Sequence, residues 1–107
     1  MQDIKTIIKN KYPKTYEDIL KIMDEQLELF CKKQHDYGPS NISMGGDKEL
    51  SLLGLAIRKN DKVQRLLNIL HKNKGNTAVE ESLRDTLMDL SIYGIIAQVV
   101  LNDNWGE

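Results

Sequence analysis

Three long segments of this 107-residue chain repeat apolar side chains at steps of three and four residues. Such a spacing brings the apolar side chains to one face of an α-helix. No stretch shows the alternation of apolar and polar residues that is typical of a half-buried β-strand. The pattern therefore predicts an all-α protein whose helices bury these faces against one another. In the first long segment the repeating residues are Tyr16, Ile19, Leu20, Met23, Leu27 and Phe30.

Capping and turn residues predict where the helices begin and end. Proline disfavours helix in the residue before it, so Pro13 should end a short N-terminal helix. Thr15 and Asp47 are predicted to cap the first and second long helices. Gly75 suits the left-handed end of the second, and residues 77–80 (TAVE) form a capping box for the third. The expected helices cover residues 1–11, 16–35, 48–71 and 77–101, and the main loop covers residues 36–46.

The whole chain, residues 1–107, is expected to form one helical domain. Its predicted architecture is an antiparallel bundle of three long helices plus a short N-terminal helix. The second long helix should bury one side, made of Leu52, Leu55, Ala56, Val63, Leu66, Leu67 and Leu70.

Charge and composition restrict the location and the partners. The 15 basic and 16 acidic residues nearly balance, which argues against a nucleic-acid-binding protein. The longest uncharged apolar run, residues 90–101, is too short to span a membrane. Cys31 has no second cysteine to pair with, and no signal peptide is apparent. We therefore expect a cytoplasmic protein that binds neither membrane nor nucleic acid.

The third long helix carries the strongest chemical signal. Glu81, Asp85, Asp89 and Tyr93 follow one another at steps of four residues and so form one line along the helix. Like charges stacked at this spacing weaken a helix unless something neutralises them. Beyond Asp89 the helix is apolar on every side, which predicts that Asp85 and Asp89 lie at the mouth of the core. These carboxylates need a cation, either a metal ion or basic side chains. We call Glu81, Asp85 and Asp89 the acidic row.

The second long helix offers basic side chains at matching steps. Arg58, Lys62 and Arg65, which we call the basic row, lie beside its apolar face together with Asp61. One interpretation is a structural network in which the basic row pairs with the acidic row. The other is a nucleotide-phosphate site, in which the carboxylates hold Mg²⁺ and the basic groups hold the phosphates. Spacing alone does not decide between them.

Two further groups extend the candidate site. Glu25 and Glu28 form an E-x-x-E pair that either holds a metal ion or faces solvent or another subunit. Tyr37, beside Asp36 at the end of the first long helix, offers a ring on which a base would stack, with Asp36 as a further acid. The alternative for this segment is a simple helix stop and turn, for which Gly38 and Pro39 are suited.

Three segments in this order resemble the nucleotide modification associated domain 1 family, a helical family of phages and bacteria. They are DYG at residues 36–38, GLAIRKNDKVQRL at 54–66 and ESLRDTLMDLSIY at 81–93. The similarity covers about residues 16–101. The helices also resemble those of the MazG-like all-α nucleoside triphosphate pyrophosphatases. The resemblance implies a MazG-like helical bundle that handles nucleotides in the cytoplasm of a bacterial host cell.

MazG-like enzymes hold Mg²⁺ with E-x-x-E on one helix and E-x-x-D on a later one. The first motif corresponds here to Glu25 and Glu28, and the second falls at Glu81 and Asp85, which stand four residues apart, with Asp89 one turn further. The resemblance thus implies a Mg²⁺-dependent pyrophosphatase or hydrolase of (deoxy)nucleoside triphosphates or related nucleotides. The acidic row would be catalytic, and Mg²⁺ would bind to these five carboxylates. The nucleotide itself would bind to Asp36, Tyr37, Arg58, Asp61, Lys62, Arg65 and Tyr93.

Two other functions remain open at this stage. One is a non-catalytic protein that captures a nucleotide or nucleotide signal, acting as a phage sponge or inhibitor. The other is a structural or inhibitory partner whose charged rows pack against another protein. Each is compatible with a homo-oligomer, a dimer or larger. We expect one, because the first and third long helices carry more apolar positions than a three-helix monomer covers.

Overall fold

The computed structural model describes residues 3–43, 45–72 and 77–107, and the side chains of all of these except residues 77–79. Four helices follow one another along the chain. They are α1 (Ile4–Lys11), α2 (Pro13–Tyr37), α3 (Lys48–Lys72) and α4 (Thr77–Leu101). No strand occurs in these ranges, which confirms the all-α class. The chain divides into two compact units, Met1–Lys33 and Gln34–Glu107.

The first unit contains α1 and most of α2. Asp3 caps α1, since its carboxylate accepts a hydrogen bond from the Thr6 backbone N–H at 2.8 Å, and this bond lowers the pKa of Asp3. Tyr12 has a non-helical backbone and ends α1, as expected for the residue before a proline. α2 then begins at Pro13, so the predicted cap at Thr15 is wrong. Proline suits the first helical position because its φ is fixed and it has no N–H to satisfy.

The apolar face of α2 is largely exposed to solvent. Ile19, Leu20, Met23 and Leu27 are each at least half exposed, whereas the one buried residue of the helix is Gln26. The periodicity correctly predicts a helix with a continuous apolar face. The expected burial of that face within this chain is not found.

The second unit begins with the last turn of α2 and the loop after it. Gly38 ends the helix in a left-handed conformation (φ +69°), and its N–H donates to the Gln34 carbonyl at 2.9 Å. At the other end of the loop, the Asp47 carboxylate accepts the Leu50 N–H at 3.0 Å. This hydrogen bond confirms the predicted N-cap of α3.

α3 and α4 pack against each other as an antiparallel pair. Leu55 of α3 and Ile96 and Val100 of α4 are buried, with Leu55 only 2% exposed. Thr86 is buried as well, and its hydroxyl donates to the Ser82 carbonyl one turn earlier. After Asp89, α4 carries no charged residue. Buried apolar contacts therefore dominate the packing of this part of α4 against α3.

Two ion pairs connect α3 with α4 and with the turn that follows it. Lys62 Nζ lies 2.9 Å from Asp89 Oδ2 within α4, and Lys48 Nζ lies 3.1 Å from Asp103 Oδ1, two residues after the end of α4. The first pair joins the two helices directly, and the second attaches the start of α3 to the turn after α4.

The predicted buried side of α3 is only partly buried. Leu55 is buried, and Leu52 and Leu66 are half-buried. The rest of the predicted face is exposed, namely Ala56, Val63, Leu67 and Leu70. A single partner helix covers only part of the circumference of α3, so α4 leaves these residues exposed.

The chain turns back sharply after α4. The N–H of Asp103 donates to the Val100 carbonyl at 3.0 Å, and that of Asn104 donates to the Val99 carbonyl at 3.1 Å. With Asp103 left-handed (φ 62°), these bonds form a Schellman motif. We call residues 102–107 the C-terminal strap.

Two sequence predictions lie outside the described residues: the helix stop at residues 73–76 and the capping-box side chains of residues 77–79. Among the helices that are described, none combines the length and the apolar character needed to cross a membrane.

Replacing Leu55 should test the α3–α4 core. Leu55→Ala removes a side chain that is 2% exposed and leaves a cavity, so we expect the free energy of unfolding to fall by about 2–5 kcal/mol. Leu53→Ala, on the same helix but 56% exposed, is the matched control and should change it by about 0.5 kcal/mol or less. Urea denaturation followed by circular dichroism measures both. Equal losses in the two variants would contradict this packing.

Candidate functional site

The acidic and basic rows meet at one described ion pair. Lys62 of α3 and Asp89 of α4 bring Nζ and Oδ2 to 2.9 Å, and their side chains are 26% and 24% exposed. Partial burial strengthens the attraction between the charges and reduces its screening by salt. This bridge is one of the contacts expected of a structural network, and it neutralises the most buried carboxylate of the acidic row.

Arg58 does not join the acidic row. Its Nη2 donates to the backbone carbonyl of Asn41 at 2.7 Å, so the guanidinium lies against the loop between α2 and α3. Among the described residues, Arg58 has no ion pair with a carboxylate. A guanidinium carries five N–H donors, so a single bond to a carbonyl leaves most of its binding capacity available.

The outer members of both rows face solvent. Arg65 of α3 and Glu81 and Asp85 of α4 are exposed, as is Asp61. In the described part of the chain, none of these four forms an ion pair. Asp85, which was expected at the mouth of the core, is therefore more accessible than predicted. Tyr93, next to Asp89 on the same line of α4, is half-buried.

The end of α2 presents an accessible aromatic ring. Tyr37 is 70% exposed and stands four residues before Asn41, whose carbonyl binds Arg58. Asp36 beside it lies 3.3 Å from His35 Nδ1. Tyr37, Asp36 and the basic row all belong to the second unit, so the structure places this part of the predicted set in one compact body.

Glu25 and Glu28 belong to the first unit and are both exposed. Each lies near a lysine of its own helix, one turn away: Lys21 at 4.0 Å from Glu25, and Lys32 at 3.5 Å from Glu28. Such exposed pairs contribute little to stability and fit the solvated interpretation. Within the described residues, no three His, Cys, Asp or Glu side chains are grouped closely enough to hold a metal ion.

The loop between α2 and α3 is held by contacts that sequence reasoning missed. The Pro39 carbonyl accepts the backbone N–H groups of Ile42 and Ser43, both at 3.1 Å. It also accepts the indole N–H of Trp105, in the C-terminal strap, at 3.0 Å. Ile42 is buried. The signal in the sequence was the single tryptophan, which stands in an otherwise polar tail after the last helix.

A shallow cavity of about 240 Å³ lies between this loop, the start of α3 and the C-terminal strap. Ser43, Lys48, Asp103 and Trp105 are among its lining residues. Lys48 is fourteen residues from Lys62, which corresponds to about 21 Å along a helix. The cavity is therefore distant from Lys62, whereas Arg58 of the basic row binds Asn41, two residues before the lining residue Ser43. Lys48 within the cavity is paired with Asp103.

Comparison of the chain with models of known protein families, with curated proteins and with solved structures finds no match. The resemblance to nucleotide-handling families accordingly stays a prediction, and the site is interpreted from its own geometry.

A double-mutant cycle should measure the Lys62–Asp89 bridge. We expect Lys62→Met, Asp89→Asn and the double variant to give a coupling energy of about 1 kcal/mol, because the pair is partly buried. The exposed Glu80–Arg84 pair of α4, at 3.8 Å, is the control and should give about 0.5 kcal/mol or less. Denaturation at low and high salt provides the data. A Lys62–Asp89 coupling no larger than the control would show that this contact does not hold the helices together.

Proposed function

We propose that this protein binds a nucleotide through its phosphate groups, with the basic row of α3 as the anion-binding element. The supporting observation is the position of Arg58. Its bond to the Asn41 carbonyl fixes the guanidinium beside the loop, and the remaining donors are not used by any described carboxylate. An arginine fixed in this way recognises phosphate without first losing much side-chain freedom.

Lys62 lies one turn after Arg58 on α3 and supplies further N–H donors. Its bridge to Asp89 restricts the ammonium group while leaving two of its three donors. Arg65, exposed one turn further, extends the row toward the next phosphate. A chain of phosphates running along α3 would then meet successive cations, whereas Asp61 is suited to contact ribose hydroxyls.

Tyr37 provides the surface for the base in this proposal. Its exposed ring stands at the end of the helix that enters the loop bound by Arg58. Stacking of a base on an aromatic ring contributes about 1–3 kcal/mol and tolerates any base. Asp36 beside it accepts a hydrogen bond from an exocyclic amine or a sugar hydroxyl.

Mg²⁺-dependent hydrolysis is the second candidate function. Glu81 and Asp85 are exposed one turn apart on α4, and no described cation pairs with them. Mg²⁺ is commonly held by one or two carboxylates together with substrate phosphates, so these two residues fit it. Water would attack the α-phosphorus, and the bond to the β-phosphate oxygen would break to give a monophosphate and pyrophosphate. The resemblance to MazG-like pyrophosphatases adds support.

A single incubation distinguishes binding from hydrolysis. Excess protein is mixed with Mg²⁺ and a panel of nucleoside mono-, di- and triphosphates and cyclic nucleotides. The protein is then filtered and denatured, and both fractions are chromatographed. We expect an intact nucleotide to be retained. New monophosphate and pyrophosphate that disappear with EDTA and in Asp85→Asn would instead establish the hydrolase, and turnover that survives both would exclude this metal site.

Variants of Arg58 test the proposed binding site. Arg58→Ala should weaken retention about 10- to 100-fold, since a hydrogen bond to a charged group contributes about 1.5–3 kcal/mol. Arg84→Ala, which removes an exposed arginine of α4, is the matched control and should bind normally. Unchanged affinity in Arg58→Ala and Lys62→Ala would remove the basic row from the site. If every nucleotide passes through the filter, nucleotide binding is refuted and the charged rows are structural.

We also propose that a second copy of the chain covers the apolar face of α2. Leu20, Met23, Leu27 and Phe30 follow the 3-4-3 spacing of a coiled-coil seam, and the first three are at least half exposed. These four residues span about 15 Å along the 25-residue helix α2. An apolar surface of this length is costly to leave in water.

Charging the seam should separate the subunits. Leu27→Glu places a carboxylate in the proposed helix–helix contact, so we expect sedimentation equilibrium to show a monomer where the unaltered chain gives a dimer or larger species. Lys21→Glu, on the other side of the same helix, is the control and should leave the oligomer intact. A monomeric unaltered protein would refute the proposed oligomer.

A further inference from the structure

We infer that Trp105 is a positioning residue, which holds the loop between α2 and α3 in the shape that the nucleotide site requires. The inference rests on the proposed nucleotide binding and adds the C-terminal strap to it. Its basis is the hydrogen bond from the indole N–H to the Pro39 carbonyl, at 3.0 Å, between residues 66 positions apart in the sequence.

The Pro39 carbonyl accepts three hydrogen bonds that hold the loop. It receives the N–H groups of Ile42 and Ser43 from inside the loop and the indole N–H of Trp105 from outside it. The same turn carries the Asn41 carbonyl, to which Arg58 donates at 2.7 Å. A shift of the turn at Pro39 therefore moves the acceptor that fixes the phosphate-binding guanidinium.

The strap is shaped to deliver Trp105 to this point. The Schellman motif at the end of α4 reverses the chain, and the left-handed Asp103 within it also pairs with Lys48 at the start of α3. After Trp105, Gly106 (φ +77°) passes against the Pro39 ring. A side chain there would place its Cβ only 3.1 Å from Pro39 Cβ. Two contacts with the strap therefore restrict Pro39: the close approach of Gly106 to its ring and the indole hydrogen bond to its carbonyl.

The C-terminal strap and the basic row contact the same short segment of the loop between α2 and α3. Trp105 binds at Pro39, Arg58 binds at Asn41, and the exposed Tyr37 precedes both. The ring proposed to stack on the base is therefore only two residues from the carbonyl that the strap holds. Loss of the indole donor should loosen the segment that relates Tyr37 to Arg58, although neither nucleotide-binding side chain is altered.

Trp105→Phe is the decisive variant, because it removes the N–H donor and keeps an aromatic ring. Asn104→Ala is the matched control within the strap, because the Asn104 side chain is exposed and forms no hydrogen bond with the described residues. Hydrogen exchange at the Ile42 and Ser43 amides reports on the turn whether or not a nucleotide binds. Retention of the nucleotide identified by the panel experiment reports on the site.

In Trp105→Phe we expect exchange at these two amides to become about 5- to 10-fold faster, in line with the loss of one hydrogen bond. Nucleotide affinity should fall several-fold, while Asn104→Ala leaves both measurements near those of the unaltered protein. Unchanged exchange in Trp105→Phe, or faster exchange with unchanged affinity, would overturn the positioning role. Failure of the unaltered protein to bind any nucleotide refutes the proposed function instead, and it does so without reference to the exchange data.

Discussion

The structure of the second unit depends on the alignment of α3 with α4. Leu55, Ile96 and Val100 exclude water between the helices, and the Lys62–Asp89 bridge between them favours one register. A helix slipped by one turn would move Lys62 about 5.4 Å from Asp89 and would leave a partly buried charge unpaired. The apolar contacts therefore hold the two helices together, whereas the Lys62–Asp89 ion pair sets their relative alignment.

That alignment sets what the loop between α2 and α3 can do. Arg58 follows Leu55 by three residues on α3, so burial of Leu55 fixes the direction from which the guanidinium reaches Asn41. The strap is likewise carried to Pro39 by the end of α4. The loop is consequently held by α3, which follows it directly, and by the strap after α4, which is distant from it in the sequence. Its backbone carbonyls are the acceptors of both contacts.

Much of the fold follows from local features of the sequence. Periodicity predicts all three long helices, and the Asp47 cap and the helix break before Pro13 are predicted correctly because they depend on neighbouring residues alone. The start of α2 is wrong because Pro13 is itself a good first helical residue. Periodicity also identifies an apolar face but does not show what covers it. It could therefore not predict that Ile19 and Met23 are exposed.

The candidate site likewise has one part that the sequence predicts and another that it does not. That acidic and basic rows lie on neighbouring helices could be predicted from their spacing, and Lys62 does meet Asp89. The partner of Arg58 could not be predicted, because it is a backbone carbonyl and carries no signature in the side-chain sequence. The role of Trp105 was hidden for a related reason: its acceptor is also a main-chain oxygen, which every residue possesses.

The contact between Trp105 and Pro39 has a consequence for the order of folding. It closes a loop of 66 residues, and the entropy lost in closing so long a loop is recovered only when other contacts have already brought its ends together. Pairing of α3 with α4 does this. The indole bond therefore belongs among the last contacts to form and the first to open, and Trp105 must have emerged from the ribosome before this turn acquires its final shape.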